Sequence, residues 1–401
     1  MSGSQTMSVS WKRRVWAGLF FVFLLFAGWV GWINRPRQPY EVSVLPPTLL
    51  NLIDATPAST SSENGGEADQ EKEDSANNIK GENQVQFQCE LVYSPGYLID
   101  LGGLEKMHPY DSRKYQKIYD KLIEVGTITG DQVFRPSLLE TADLRLVHTQ
   151  EYLENLKQRT NVAKYLEAPP LLLAPVSLKT AVLEPFLRAS GGTLLAARLA
   201  LDSGIGINIG GGYHHAKPEC GEGFCLYADV PIAIRKLQKE GRIKQALVVD
   251  VDAHQGNGTI LCLENDESTF TFSIHQGNIY PIPKEKGDRD VLAPEGCDDD
   301  RYLNILNEHL EEVIAESNPD ICFIVGGCDT LGTDPLASMN MTVEGILRRD
   351  EAIVSACVER KIPVVLTLAG GYSPNAWEAQ YRSIRNLVEK FGLRKRKQEK
   401  K

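Results

Sequence analysis

The stretch Ala246-Leu247-Val248-Val249-Asp250-Val251-Asp252-Ala253-His254 decides the fold class. It opens on an apolar run, Ala246 to Val249, with the length and β-branched content of a buried strand. Polar residues then fall on alternate positions. If the strand continues, Asp250, Asp252 and His254 share one side of it. Two carboxylates and an imidazole on one edge are costly to hold together. A divalent cation offsets that cost, since Asp oxygen and His nitrogen are both Zn²⁺ ligands. Gln255-Gly256-Asn257-Gly258 follows and reads as a tight loop. An Asp-rich strand end capping the next helix is the rival assignment; it explains one Asp but not the spacing Asp-x-Asp-x-His.

The same design recurs along the chain. Ile205 to Ile209 ends in Gly210-Gly211-Gly212-Tyr213-His214-His215, and Thr269 to Ile274 ends at His275. Ile321 to Val325 ends in Gly326-Gly327-Cys328-Asp329-Thr330, and Pro363 to Leu368 ends in Ala369-Gly370-Gly371-Tyr372. Helical spacing appears between these runs, in Arg301 to Ser317 and Glu344 to Lys361. Strands alternating with helices predict an α/β domain with a mostly parallel central sheet flanked by helices. In such sheets ligands bind beyond the carboxyl ends of the strands, where the unusual polar residues sit.

The chain has 401 residues, enough for one large domain plus appendages. Residues 1–14 form a basic segment. Residues 15–33 are uncharged and 19 long, and a helix of that length just spans a ~30 Å hydrocarbon core. Trp11, Trp16, Trp29 and Trp32 lie near its ends, as interface anchors do. No Ala-x-Ala site follows, so an uncleaved anchor is favoured over a signal peptide. Residues 34–84 read as a disordered acidic linker. Their Ser-, Asn- and Gly-rich part from residue 54 carries eight acids against two lysines. Residues 85–393 hold the folded domain and 394–401 a basic tail. Lys12, Arg13 and Arg14 against Arg35 and Arg37 orient the anchor N-in, which puts the domain on the far side. The eight scattered cysteines, all after residue 88 and without a CxxC pair, read instead as reduced cytosolic thiols. These two readings place the domain on opposite sides of the membrane.

The net charge is −10, and the domain is more acidic than the whole chain. That argues against direct nucleic-acid binding and suits cationic, lysine-bearing substrates.

The residues together resemble the zinc-dependent histone deacetylases of the arginase/deacetylase superfamily, most closely their class IV branch. The resemblance runs from about Leu91 to Leu387. It rests on Gly103-Leu104-Glu105-Lys106-Met107-His108-Pro109, Gly211-Gly212-Tyr213-His214-His215, Gly223-Phe224-Cys225 and Asp250 to Gly258. Gly327-Cys328-Asp329 with Asp334-Pro335, and Gly370-Gly371-Tyr372, complete the ordered set. The resemblance implies that Asp252, His254 and Asp329 hold a Zn²⁺ (or Fe²⁺) ion. It implies two dyads, His214 with Asp250 and His215 with Asn257. His215 would be the general acid–base and His214 an electrostatic cation. Some members of the family carry Asp where Asn257 stands; a neutral partner makes His215 easier to deprotonate. Tyr372 would donate to the substrate oxyanion. Gly223, Phe224 and Tyr280 would wall an acyl-lysine channel. Ser273 and Ile274, with Asp250 and the carbonyls of Asp252 and His254, would hold a structural K⁺. His148 and His275 read as structural.

The implied activity is removal of an acetyl or longer acyl group from protein lysines. Three rivals stand beside it. A deacetylase of small amines such as acetylpolyamines fits the same fold. A metallophosphoesterase is echoed by Asp-Ala-His and Gly-Asn-Gly but needs more ligands than can be placed. A membrane-tethered acyl-lysine binding module would lack a catalytic position, and none is missing.

Overall fold

A computed structural model describes residues 87–394. The expected anchor at 15–33, the linker at 34–84 and the tail beyond Arg394 lie outside the described residues. Among the described residues no helix is long and apolar enough to cross a membrane.

Eight strands form one sheet: β1 Gln88–Val92, β2 Val133–Phe134, β3 Gly204–Asn208, β4 Ala246–Asp250, β5 Thr269–Gln276, β6 Arg289–Ala293, β7 Ile321–Val325 and β8 Val364–Thr367. Their order is β2-β1-β3-β8-β7-β4-β5-β6. Every pairing is parallel, so the sheet is wholly rather than mostly parallel. The central strands β3, β4, β7 and β8 are buried along their whole length. That explains why their sequences are mostly apolar without polar alternation: both faces are covered.

Two groups of helices do the covering. Glu184–Ser203 packs on β3, β1 and β8 and against Asp229–Lys239. Asp299–Ser317, Val343–Glu359, Ala376–Phe391 and Arg113–Glu124 pack successively on one another, the first also against β5 and β6. Helix starts follow local chemistry. Asp298 accepts from the Arg301 N–H, and Thr342 accepts from the Gly345 N–H, each satisfying an otherwise unpaired amide.

The decisive stretch departs from the sequence reading in one respect. The strand stops at Asp250, and Val251 to Gly256 is a loop. Asp252 and His254 therefore do not share a face with Asp250 by strand alternation. Hydrogen bonds hold them instead. The Asp252 N–H donates to Asp250 Oδ1 (3.1 Å), the His254 N–H to Asp252 Oδ1 (2.9 Å) and the Ala253 N–H to Asp329 Oδ1 (2.8 Å). Short Asx-type bonds of this kind compete with ladder pairing and end strands. The tight loop expected over 255–258 likewise ends early, because Asn257 already opens the helix Asn257–Leu263.

Candidate active site

The sheet order places the relevant loops side by side. β3, β8, β7 and β4 are neighbours, and from their carboxyl ends come His214 and His215, Tyr372, Asp329, and the Asp250–His254 loop respectively.

Asp252, His254 and Asp329 are all buried, and one ligand atom from each lies within 4.8 Å of the others. His254 Nδ1 is 2.8 Å from Asp329 Oδ2 and 3.2 Å from Asp252 Oδ1. Ligand atoms about 2.0–2.2 Å from one Zn²⁺ in tetrahedral array would stand at similar separations. Two carboxylates balance a divalent charge, so the donor set fits such an ion. Burial works against a charged imidazole, but the hydrogen bonds and charges of Asp252 and Asp329 raise the His254 pKa to about 10. Burial and the Asp252 charge lift Asp329 to about 7. No helix starts at Asp329, so it caps nothing.

Glycines close the cluster. A Cβ on Gly327 would lie 2.1 Å from Asp252 Oδ2, and one on Gly370 would lie 2.6 Å from Asp329 Oδ2. Neither position admits a side chain while the carboxylates stay in place. The Gly370 N–H donates to Asp252 Oδ2 at 2.9 Å.

The two adjacent histidines have different partners. His214 Nδ1 is 2.8 Å from Asp250 Oδ2 and Nε2 is 3.8 Å from Asp252 Oδ1. Burial disfavours its charge, but Asp250 and Asp252 outweigh it, and its pKa is raised to about 9. His215 Nδ1 is 2.7 Å from Asn257 Oδ1. Burial first, then the nearby His214 and His254, hold its pKa well below the ordinary 6.5. One imidazole is poised to stay charged and its neighbour to stay neutral.

A cavity runs along His214, His215, Gly223, Phe224 and Tyr372, and reaches Tyr110. Phe224 and Tyr372 face each other edge to face at 5.8 Å, and the Tyr372 ring lies 6.4 Å from His254. Tyr280 stands 5.0 Å from the His215 ring and 6.4 Å from His254. Ser273 pairs in register with Asp250, and its Oγ is 2.9 Å from His275 Nδ1. The Ile274 carbonyl lies 3.5 Å from Tyr302 Oη. His148 bridges the Lys217 carbonyl and the Ala228 N–H, away from the site. His108 packs on Phe224 at 4.7 Å.

Sequence reasoning missed the residues that brace these loops. Asp229 accepts from the Gly212 and Tyr213 N–H groups at 2.8 and 2.7 Å and fixes the His214-His215 loop. Asp334 accepts from the Tyr372 and Ser373 N–H groups at 2.7 and 3.1 Å. Buried Lys114 donates to the Ala369 carbonyl, and buried Arg349 to those of Val251 and Gly327. Only Asp334 carried any signal, as part of a motif without a role.

Comparison with known proteins accords with this arrangement. A family model described as the histone deacetylase domain matches residues 108–388. The chain belongs to the histone deacetylase family. As a member it is a hydrolase acting on amide bonds. Histone deacetylase 2 of Arabidopsis thaliana is 35% identical over 74% of this chain and 78% of its own. An uncharacterised protein of Picosynechococcus sp. is 38% identical over 73% of this chain and 95% of its own. An acetoin utilization protein, AcuC, of Staphylococcus aureus is 26% identical over 69% of this chain and 77% of its own. The crystal structure of the HDA15 HD domain matches with a TM-score of 0.61 at 21% identity, covering 75% of this chain and 90% of that one, which speaks to the fold.

Proposed function

We propose that this deacetylase removes acyl groups, acetyl or longer, from lysine side chains of proteins, in the manner of the class IV branch. The observation that carries the reading is the opposition of one neutral-poised histidine, His215, to the Asp252-His254-Asp329 cluster, with Tyr372 across the cavity. Asp252, His254 and Asp329 would hold Zn²⁺, with Fe²⁺ as the substitute. Bound there, the ion supplies a Lewis acid that polarises the amide carbonyl and acidifies water.

The chain's own residues do the rest. Phe224, Gly223 and Tyr280 grip the apolar lysine stem and exclude bulk water. His215, whose Nδ1 faces the Asn257 carbonyl oxygen, presents Nε2 as the acceptor for the proton of the attacking water. It then returns that proton to the leaving amine nitrogen, because an amine anion is too poor a leaving group to depart unprotonated. His214, held charged by Asp250, stabilises the negative charge that develops nearby. The Tyr372 hydroxyl donates to the developing oxyanion. Asp250 and Ser273 pair in register where β4 meets β5, with Ile274 next along β5, and a K⁺ bound there would brace the ligand loop.

The N-terminal segment 15–33 is proposed as a single-pass membrane anchor, on its length and lack of charge. The decisive experiment is an assay of acyl-lysine peptides of increasing chain length beside acetylpolyamines, with metal content measured in parallel. Turnover of acyl-lysine peptides above acetylpolyamines is expected. The reverse order would assign a small-amine deacetylase.

A further inference from the structure

The neutral partner of His215 poses a problem that an Asp would not. Both oxygens of a carboxylate accept, so a histidine facing Asp must present an N–H. An amide can turn over and offer either oxygen or NH₂. If Asn257 offered NH₂, His215 Nδ1 would become the acceptor, the proton would sit on Nε2, and the base would point its N–H at the water it must deprotonate. Something has to fix the amide.

Glu222 stands in position to do so. Its Oε1 accepts from Asn257 Nδ2 at 3.4 Å and also from Tyr280 Oη. Its Oε2 is 2.5 Å from Lys217 Nζ. A carboxylate paired with a lysine only accepts, so the group it faces on Asn257 is the NH₂, and Oδ1 is left for His215. The backbone holds Glu222 in place. The Glu222 and Cys225 N–H groups donate to each other's carbonyls at 3.1 and 2.9 Å, closing a two-residue turn. Both central residues, Gly223 and Phe224, have positive φ, at 53° and 68°, the signature of a type I′ turn. The wall residue Phe224 and the carboxylate of Glu222 therefore issue from one rigid turn.

We propose that Glu222 is a positioning residue for proton transfer: it orients the Asn257 amide so that His215 carries its proton on Nδ1 and keeps Nε2 free, and it ties the wall residue Tyr280 to the same carboxylate. The proposal rests on His215 being the proton carrier.

The test is E222Q, which conserves shape. Lys217 would draw the new amide oxygen toward itself, turning the NH₂ group to Asn257 and Tyr280. Asn257 would then turn its own oxygen toward residue 222 and its NH₂ toward His215. In the full-length Zn²⁺-loaded protein, ¹⁵N NMR of the histidine rings reads the tautomer directly. Seven histidines keep the spectrum tractable, and H215A assigns the resonance. Wild type should show Nδ1–H at His215, and E222Q a shift toward Nε2–H. The E222Q kcat should fall about 10-fold or more, the scale of lost orienting partners, with KM changing less. Adding N257D in the E222Q background should restore the Nδ1–H tautomer, because the carboxylate it introduces accepts from both sides. An unchanged tautomer in E222Q overturns the role of Glu222, as does a change confined to KM, which would make it a wall support only. An active H215A sinks the underlying acid–base reading instead, and the two failures are distinguishable.

Discussion

The loop after β4 and the loop after β3 meet at the same point and do opposite things with similar residues. The β4 loop, Val251 to Gly256, gathers Asp252 and His254 beside Asp329 and concentrates two carboxylates in a buried site. The β3 loop brings two adjacent imidazoles and gives them opposite charge tendencies. Burial disfavours charge on both, but Asp250 and Asp252 outweigh it and raise His214, whereas burial, then the nearby His214 and His254, lower His215, whose Asn257 partner is only an amide. Residue type sets what a group can do, and its partner sets which state it occupies.

The largest effect that separates the loops is loss of the ion. Asp252→Ala should remove both divalent metal and activity, since two remaining ligands do not make a catalytic site. Elemental analysis of wild type should give about one ion per chain. Two ions per chain would move the chemistry toward a phosphoesterase and dissolve the contrast.

On the β3 side the metal should survive. His215→Ala should lower kcat by roughly 10²–10⁴-fold with metal content retained. Metal loss would make His215 a ligand. Tyr372→Phe should also retain metal and lose roughly 10²–10³-fold in kcat. A normal kcat would reduce Tyr372 to packing on Phe224.

How much of this is legible in the sequence follows from where the information resides. β4, β7 and β8 are apolar runs rich in β-branched residues and read as buried strands. β6, with Arg289 and Asp290, gives no such signal, because an edge strand is only partly desolvated and keeps polar residues. β1 is hidden by Gln88 and Glu90, the latter buried but paired with Arg394 from the far end of the domain. The Asp252-His254 pairing is visible, but for the wrong reason: the loop's Asx bonds, not strand alternation, bring the side chains together. Glu222, Asp229, Lys114 and Arg349 are invisible. Each is an isolated polar residue whose value depends on a contact across the fold, and no local spacing records that.

A subtler change probes the partner rule itself. Asn257→Asp would put a carboxylate beside His215 and favour its protonated form. As the proposed base, His215 must be neutral to accept the proton, so kcat/KM should rise with pH through its pKa. In wild type that ascending limb should lie below the ordinary imidazole range, because the pKa is lowered. In N257D it should move to higher pH by about one to three pH units, the reach of an opposite charge at contact. Metal content should not change. A limb that stays put would mean His215 does not control it, and the contrast between the dyads would lose its functional meaning.

The smallest effect on chemistry should come from the largest deletion. Both loops and every contact that braces them lie within residues 87–394. Residues 54–84 have almost no apolar side chains with which to pack on the catalytic body, and 15–33 is uncharged and long enough to span. Removing residues 1–84 should therefore release a soluble protein with kcat on a small peptide unchanged. The full chain should stay with membranes after a high-salt or carbonate wash, because burial of an apolar helix is not screened by salt. Release by that wash would remove the anchor. A large fall in kcat on truncation would show that the two loops depend on something outside the folded body. A thiol reagent that cannot cross membranes then decides the side. Cys220 and Cys262 are the two cysteines among those described that are not fully buried, and burial pushes the Cys262 thiol far up, which leaves Cys220 as the better candidate. Labelling in intact cells would put the catalytic domain outside, in line with the N-in charge bias; protection until lysis would put it in the cytosol, in line with the scattered free cysteines.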